Sequence, residues 1–95
     1  MLLAIDTCLS QCGVALGEPQ TVRVERSRAM RRGHAEALLP MIEEALAAAE
    51  AKPSALTGIA VTIGPGSFTG VRVGIAAARG LALARSCPAA GVTTL

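Results

Sequence analysis

Aromatic side chains are almost missing from this sequence: Phe68 stands alone, with neither tryptophan nor tyrosine beside it. Any core must therefore be aliphatic. A surface that holds single-stranded nucleic acid by stacking bases on rings is not expected either. Charge is scarce too, at 17% of the 95 residues against 52% hydrophobic. A chain this apolar is not disordered. It also carries less charged surface than a lone small domain usually needs, so some apolar surface is expected to meet another polypeptide. The net charge of +2 is too small to imply a phosphate-binding surface by itself.

Paired cysteines are lacking as well. Cys8, Cys12 and Cys87 are odd in number and form no C-x-x-C, and with the single His34 they lack finger-like spacing. These features predict reduced thiols in a cytosolic protein and no metal site. The opening Met1-Leu2-Leu3-Ala4-Ile5-Asp6 has no basic leader, and Asp6 interrupts its apolar run, so it does not read as a signal peptide. Pro53 to Val71 is uncharged and long enough for a membrane span of about 20 residues. However, Pro53, Gly58, Gly64, Pro65, Gly66 and Gly70 break it into strand, loop and helix start.

What is present is a clear alternation of periods. Leu2 to Ile5 is a short, continuously apolar run, as expected of a central strand buried on both faces. Cys12 to Leu16 alternates larger with small residues and reads as a second strand, followed by turn chemistry at Gly17-Glu18-Pro19-Gln20. Thr21 to Arg26 places Val22 and Val24 on one face and Arg23 and Glu25 on the other, the pattern of an edge strand. From Gly33 to Glu50 the period is helical, with Leu38, Ile42, Ala45, Leu46 and Ala49 in one stripe. Pro40 inside it is expected to bend the helix or mark a later start. Ile59 to Ile63 is another buried strand, Ser67 to Arg85 a second helix, and Ala90 to Val92 a last strand. The order β-β-β-α-β-α-β predicts an α/β lobe with a mixed five-stranded sheet of the ribonuclease-H or actin kind. Right-handed connections should place both helices on one face of that sheet, leaving an apolar opposite face and a tendency to self-associate through that face or through the glycine-bearing second helix.

Four features bear on function, and each has a plain structural reading beside the functional one. Gly64-Pro65-Gly66-Ser67-Phe68-Thr69-Gly70 turns a buried strand into a helix, which suits an anion at the helix start. Yet it lacks a P-loop ending and the G-x-G-x-x-G spacing, and a structural turn capped by Ser67 fits equally. In the second helix, Gly70, Gly74 and Ala77/Ala78 form a small-residue face, with Gly80 as a further gap. Each interior glycine costs about 1 kcal/mol relative to alanine, so close approach is expected, either by the domain's own sheet or by a partner helix. Asp6-Thr7 at the end of the first strand suits a metal–nucleotide complex or an ordinary turn. Arg23, Arg26, Arg28, Arg31 and Arg32 form either a solvated edge or a contact for RNA phosphate or an acidic partner. His34 is read as a surface residue.

Several of these segments together resemble the bacterial TsaB (YeaZ) family. They are Leu3-Ala4-Ile5-Asp6-Thr7, the His34…Leu39-Pro40 helix start, Gly64 through Gly74 with its long glycine motif, Gly80-Leu81-Ala82, and the closing Gly91-Val92-Thr93-Thr94-Leu95. The resemblance implies an actin-like (ASKHA) N-terminal lobe spanning 1–95. Because members of the family are about twice as long, a second lobe is expected to be missing here. It implies a role in forming N6-threonylcarbamoyladenosine beside the anticodon of tRNAs reading ANN codons. There the chain would act as a non-catalytic scaffold and activator of a TsaD-like paralogue, with a TsaE-like ATPase and, indirectly, a TsaC-type synthase. TsaD-like proteins carry metal-binding histidines just after the last strand, where this chain reads Val92-Thr93-Thr94-Leu95.

The surface expected to meet the paralogue comprises Leu38, Met41, Gly70, Arg72, Gly74 and Ala78. No intrinsic cofactor is expected. ATP or ADP would enter only in the complex, with Asp6, Thr7, Gly64, Gly66 and Ser67 the weak candidates to touch it. Contact with tRNA would come through the complex, the isolated chain would form a homodimer, and no membrane contact is expected. The alternative reading is half of an ATP-dependent phosphotransferase of the same superfamily, with Asp6 and the Gly64–Gly70 turn at the phosphates.

Overall fold

The computed structural model describes residues 1–7, 11–30, 33–63 and 68–92, with the side chains of Phe68 and Thr69 outside that description. Its elements are β1 (Leu2–Asp6), β2 (Gln11–Glu18), β3 (Thr21–Ala29), α1 (His34–Ala48), β4 (Gly58–Thr62), α2 (Phe68–Arg85) and β5 (Ala89–Val92). A short 3-10 turn, Pro53–Ala55, lies before β4. The expected order and the five strands are present. The sheet runs β3-β2-β1-β4-β5. β1 pairs antiparallel with β2 and parallel with β4, and β5 continues parallel to β4. The lobe is therefore of the mixed α/β, actin-like kind.

Register explains why the core sits where it does. Leu3 lies opposite Leu16 on one side and Ile59 on the other, and Ile5 lies opposite Val14 and Val61. These rows are buried together with Leu38, Met41, Ile42, Ala45 and Leu46 of α1 and Ala78 of α2. Fully burying one such leucine contributes about 1.5–3 kcal/mol. α1 packs chiefly over β2 and β3, and α2 over β4. Both helices thus lie on the Leu3/Ile5 face, as right-handed crossovers require. The alternate residues Leu2, Ala4, Ala90 and Val92 are exposed, and Ala60 and Thr62 are half-buried. That second face carries no helix among the described residues.

Four expectations need correction. β3 runs three residues past Arg26, because an edge strand needs only one buried side and tolerates polar residues on the other. Val22 does not share the face of Val24. The β2–β3 pairing shifts between Leu16 and Gly17, so three residues of β3 oppose two of β2. Val22 falls beside Gly17 and is 64% exposed, while Val24 is buried against Leu16. Pro40 does not delay α1, since the helix begins at His34 and includes it. Finally, His34 is buried, and its Nε2 lies 3.1 Å from the Gln11 carbonyl oxygen. The first residue of α1 is thereby tied to the first residue of β2.

Candidate functional site

Asp6 ends β1, and its two carboxylate oxygens accept from different elements. Gln11 Nε2 donates to Oδ2 at 2.7 Å and Thr62 Oγ1 to Oδ1 at 2.8 Å. The carboxylate is thus clamped between the start of β2 and the end of β4. Thr7 is fully buried, and its hydroxyl donates to the Gly70 carbonyl in the first turn of α2. One turn on, a Cβ placed on Gly74 would sit 2.5 Å from Thr7 Oγ1 and 3.1 Å from Val61 Cγ2. The glycine face of α2 is therefore what lets the helix lie on the end of β1.

The residues of the expected partner surface differ in exposure. Leu38, Met41, Gly70, Gly74 and Ala78 are all buried within the lobe, although Leu38 also lines the groove between the two helices. Only Arg72 of the six residues is exposed. The candidate anion residues Gly64, Gly66 and Ser67 lie outside the described residues, as do Cys8, Arg31, Arg32 and the closing Thr93–Leu95. Among the described residues, no three His, Cys, Asp or Glu side chains cluster as metal ligands would. Nor is any helix long and apolar enough to cross a membrane.

A neighbouring face, between the two helices, is open. Between α1 and α2 runs a groove of about 460 Å³ lined only by apolar residues, among them Leu38 and Leu39 of α1 and Val73, Ala77, Gly80 and Leu81 of α2. Leu39 is 52% exposed. Gly80 has no atom within 4 Å of where its Cβ would be. Gly70, Gly74 and Ala78 repeat every four residues and keep one face, whereas Gly80 lies six residues after Gly74 and turns away from it. The two kinds of glycine look alike in the sequence but face opposite surroundings.

The thiol of Cys12 is fully buried. Burial raises its pKa, an effect that Arg28 opposes and Asp6 reinforces. The neutral form is therefore favoured by folding, and stability falls as pH rises past the ordinary thiol value of 9.0 toward the raised one. Such a thiol is a packing residue and not a nucleophile.

The family model described as "TsaD: tRNA N6-adenosine threonylcarbamoyltransferase" matches residues 27–95. The chain belongs to this family. Within it, the TsaB proteins match over nearly the whole chain. The tRNA threonylcarbamoyladenosine biosynthesis protein TsaB of Escherichia coli is 42% identical over 94 residues, covering 99% of this chain and 40% of that protein. A tRNA N6-adenosine threonylcarbamoyltransferase of Paracoccus denitrificans is 50% identical over 64 residues, covering 67% of this chain and 18% of the enzyme. The solved structure of YeaZ from Pseudomonas aeruginosa superposes with a TM-score of 0.91 at 40% identity, over 97% of this chain and 43% of that one. The TsaB resemblance read from the motifs is thus shown. The chain spans about two fifths of the length of the TsaB relative it matches.

Proposed function

We propose that this lobe is a pairing subunit in the formation of N6-threonylcarbamoyladenosine beside the anticodon of tRNAs reading ANN codons. In this reading it binds a TsaD-like paralogue and does no chemistry itself. The observation that carries it is the open apolar groove between α1 and α2, with Leu39 exposed on one wall and Gly80 leaving a gap in the other. An interior helical glycine that nothing in its own lobe requires costs about 1 kcal/mol relative to alanine. Close approach by a partner's helix offsets that cost, and a groove without charged walls suits the apolar centre of such an interface. The relatives' names supply the rest of the reading, since they join TsaB-type and TsaD-type proteins in one modification.

The phosphotransferase alternative is less well supported. The Thr7 hydroxyl holds the Gly70 carbonyl, and both oxygens of Asp6 hold side chains of the lobe. Nucleotide, where it enters, belongs to the complex with a TsaE-like ATPase, and a TsaC-type synthase acts upstream. When no TsaD-like partner is present, the same groove takes a second copy of the chain and gives a homodimer.

The experiment is co-purification with a tagged TsaD-like subunit. Gly80→Leu fills the groove and Leu39→Arg charges it, and both positions are exposed, so melting temperatures should stay near wild type. Each substitution is expected to lower the amount of complex at least about tenfold, equivalent to about 1.4 kcal/mol. Recovery of undiminished complex with both variants would remove the groove from the interface.

A further inference from the structure

The structure gives the arginine run of β3 a definite setting. β3 is the outermost strand on its side of the sheet, and Arg23, Arg26 and Arg28 on it are exposed. Arg26 pairs with Val14 and Arg28 with Cys12, both of them buried on the helix-bearing face. The two arginines therefore extend one row of the sheet past its core, two residues or about 6.8 Å apart along the strand. Arg26 Nη1 donates to the Glu25 carbonyl oxygen at 3.0 Å, a contact with the neutral backbone.

The residue type matters. Edge strands are usually protected by lysine, whereas all three cations here are arginine, whose planar fork suits phosphate. With a single aromatic in the whole chain, any nucleic-acid contact would be to the backbone and not through base stacking. Helical RNA is recognised in that way, by shape and by phosphate and 2′-hydroxyl contacts. We propose that the Arg23–Arg28 edge of β3 binds the sugar-phosphate backbone of helical RNA. This inference rests on the tRNA-modification reading above and names the part of this chain that would touch the tRNA directly.

The test is fluorescence anisotropy of a labelled, unmodified tRNA titrated with the full chain between 50 and 200 mM salt. Three phosphate contacts predict an affinity loss of about 20–40-fold across that range. Arg23→Gln/Arg26→Gln/Arg28→Gln should flatten the salt dependence and weaken binding at least about tenfold at 50 mM. The charge-matched Lys52→Gln/Arg79→Gln/Arg85→Gln, at exposed positions away from β3, should bind nearly as wild type. Equal losses in both variants would reduce the effect to net charge and overturn the proposal. So would an unchanged β3 variant, or tighter β3-dependent binding of polyglutamate than of tRNA, which would assign the edge to an acidic protein. The β3 variant should still co-purify with the TsaD-like subunit. If the wild type fails to pair yet binds tRNA through β3, the functional reading fails and the RNA contact stands. Pairing without β3-dependent tRNA binding gives the converse.

Discussion

Gly74→Leu is expected to abolish the fold, and even Gly74→Ala should destabilise it by about 1–3 kcal/mol. The new Cβ would sit 2.5 Å from Thr7 Oγ1 and 3.1 Å from Val61 Cγ2. The hydroxyl cannot retreat without weakening its bond to the Gly70 carbonyl, worth about 0.5–1.5 kcal/mol. The better helix propensity of alanine returns only about 1 kcal/mol. Gly80→Ala is the natural control, because its Cβ would meet nothing within 4 Å. It should stabilise the isolated chain by up to about 1 kcal/mol. Urea denaturation decides the matter. If both alanine variants shift the midpoint in the same direction, α2 does not lie on the end of β1 as described.

Gly17→Ala is expected to be at least as damaging, at about 3 kcal/mol or more, because nothing around it can give way. Its Cβ would collide with the Thr21 carbonyl and come within 3.0 Å of Val22 Cα and 3.1 Å of the Arg23 nitrogen, all of them backbone. This is where the β2–β3 register shifts. Accommodating a methyl group there would mean re-pairing the hairpin, and a slipped register would turn Val24 out of the core. Gly13→Ala, four residues earlier on the same strand, meets Arg26 O and Ser27 Cβ at an ordinary 3.6 Å. It should stay within about 0.5 kcal/mol of wild type. Thermal melts of the two variants separate a need for glycine from a mere occurrence of it. Similar melting temperatures would contradict the account of the bulge.

Much of the fold was legible because its local signals agree with one another. The α1 stripe Leu38, Ile42, Ala45, Leu46 and Ala49 is buried throughout, and the charged residues Glu36, Glu43 and Glu44 are exposed as the period demands. What escaped depended on pairings that neither strand alternation nor helical period specifies. Val22 fits the alternation perfectly well until a bulge three-dimensional in origin moves it beside Gly17. His34 looks like a surface residue until the Gln11 carbonyl lies within reach of its ring. α1 stops at Ala48, two residues short of the expected Glu50, whereas α2 ends at the expected Arg85. Glu50 and Ser86 adopt left-handed φ of 53° where glycine usually stands, and Ala51 N–H and Cys87 N–H close the two helices onto Leu46 and Ala82 carbonyls.

The candidate site was legible as a need but not as a direction. Glycines in a helix announce that something approaches closely, and the sequence left open whether a sheet or a partner does so. For Gly70 and Gly74 the sheet and Thr7 are the answer. Gly80 was read as a gap, but not the groove it opens on, whose walls come from two helices whose relative placement no local pattern specifies. One signal was available: the angular offset of Gly80 from the Gly70–Gly74–Ala78 face, which follows from the helical period alone.

The position of β1 in the middle of the sheet bears on how the chain emerges during synthesis. Its two neighbours arrive at very different times: β2 follows at once as a hairpin, but Leu2 pairs with Gly58 and Ile5 with Val61. Met1 is likewise fastened to Thr57, whose N–H donates to its carbonyl at 2.8 Å. Translation at about 5–20 residues per second separates β1 from β4 by roughly 3–10 seconds. Throughout that interval the nascent hairpin presents one side of β1, its backbone donors and acceptors unpaired, and α2, which follows β4, has yet to be made. Exposed strand edges of this kind invite association with other chains. The strand that finally lies deepest in the sheet is, for those seconds, its most vulnerable border.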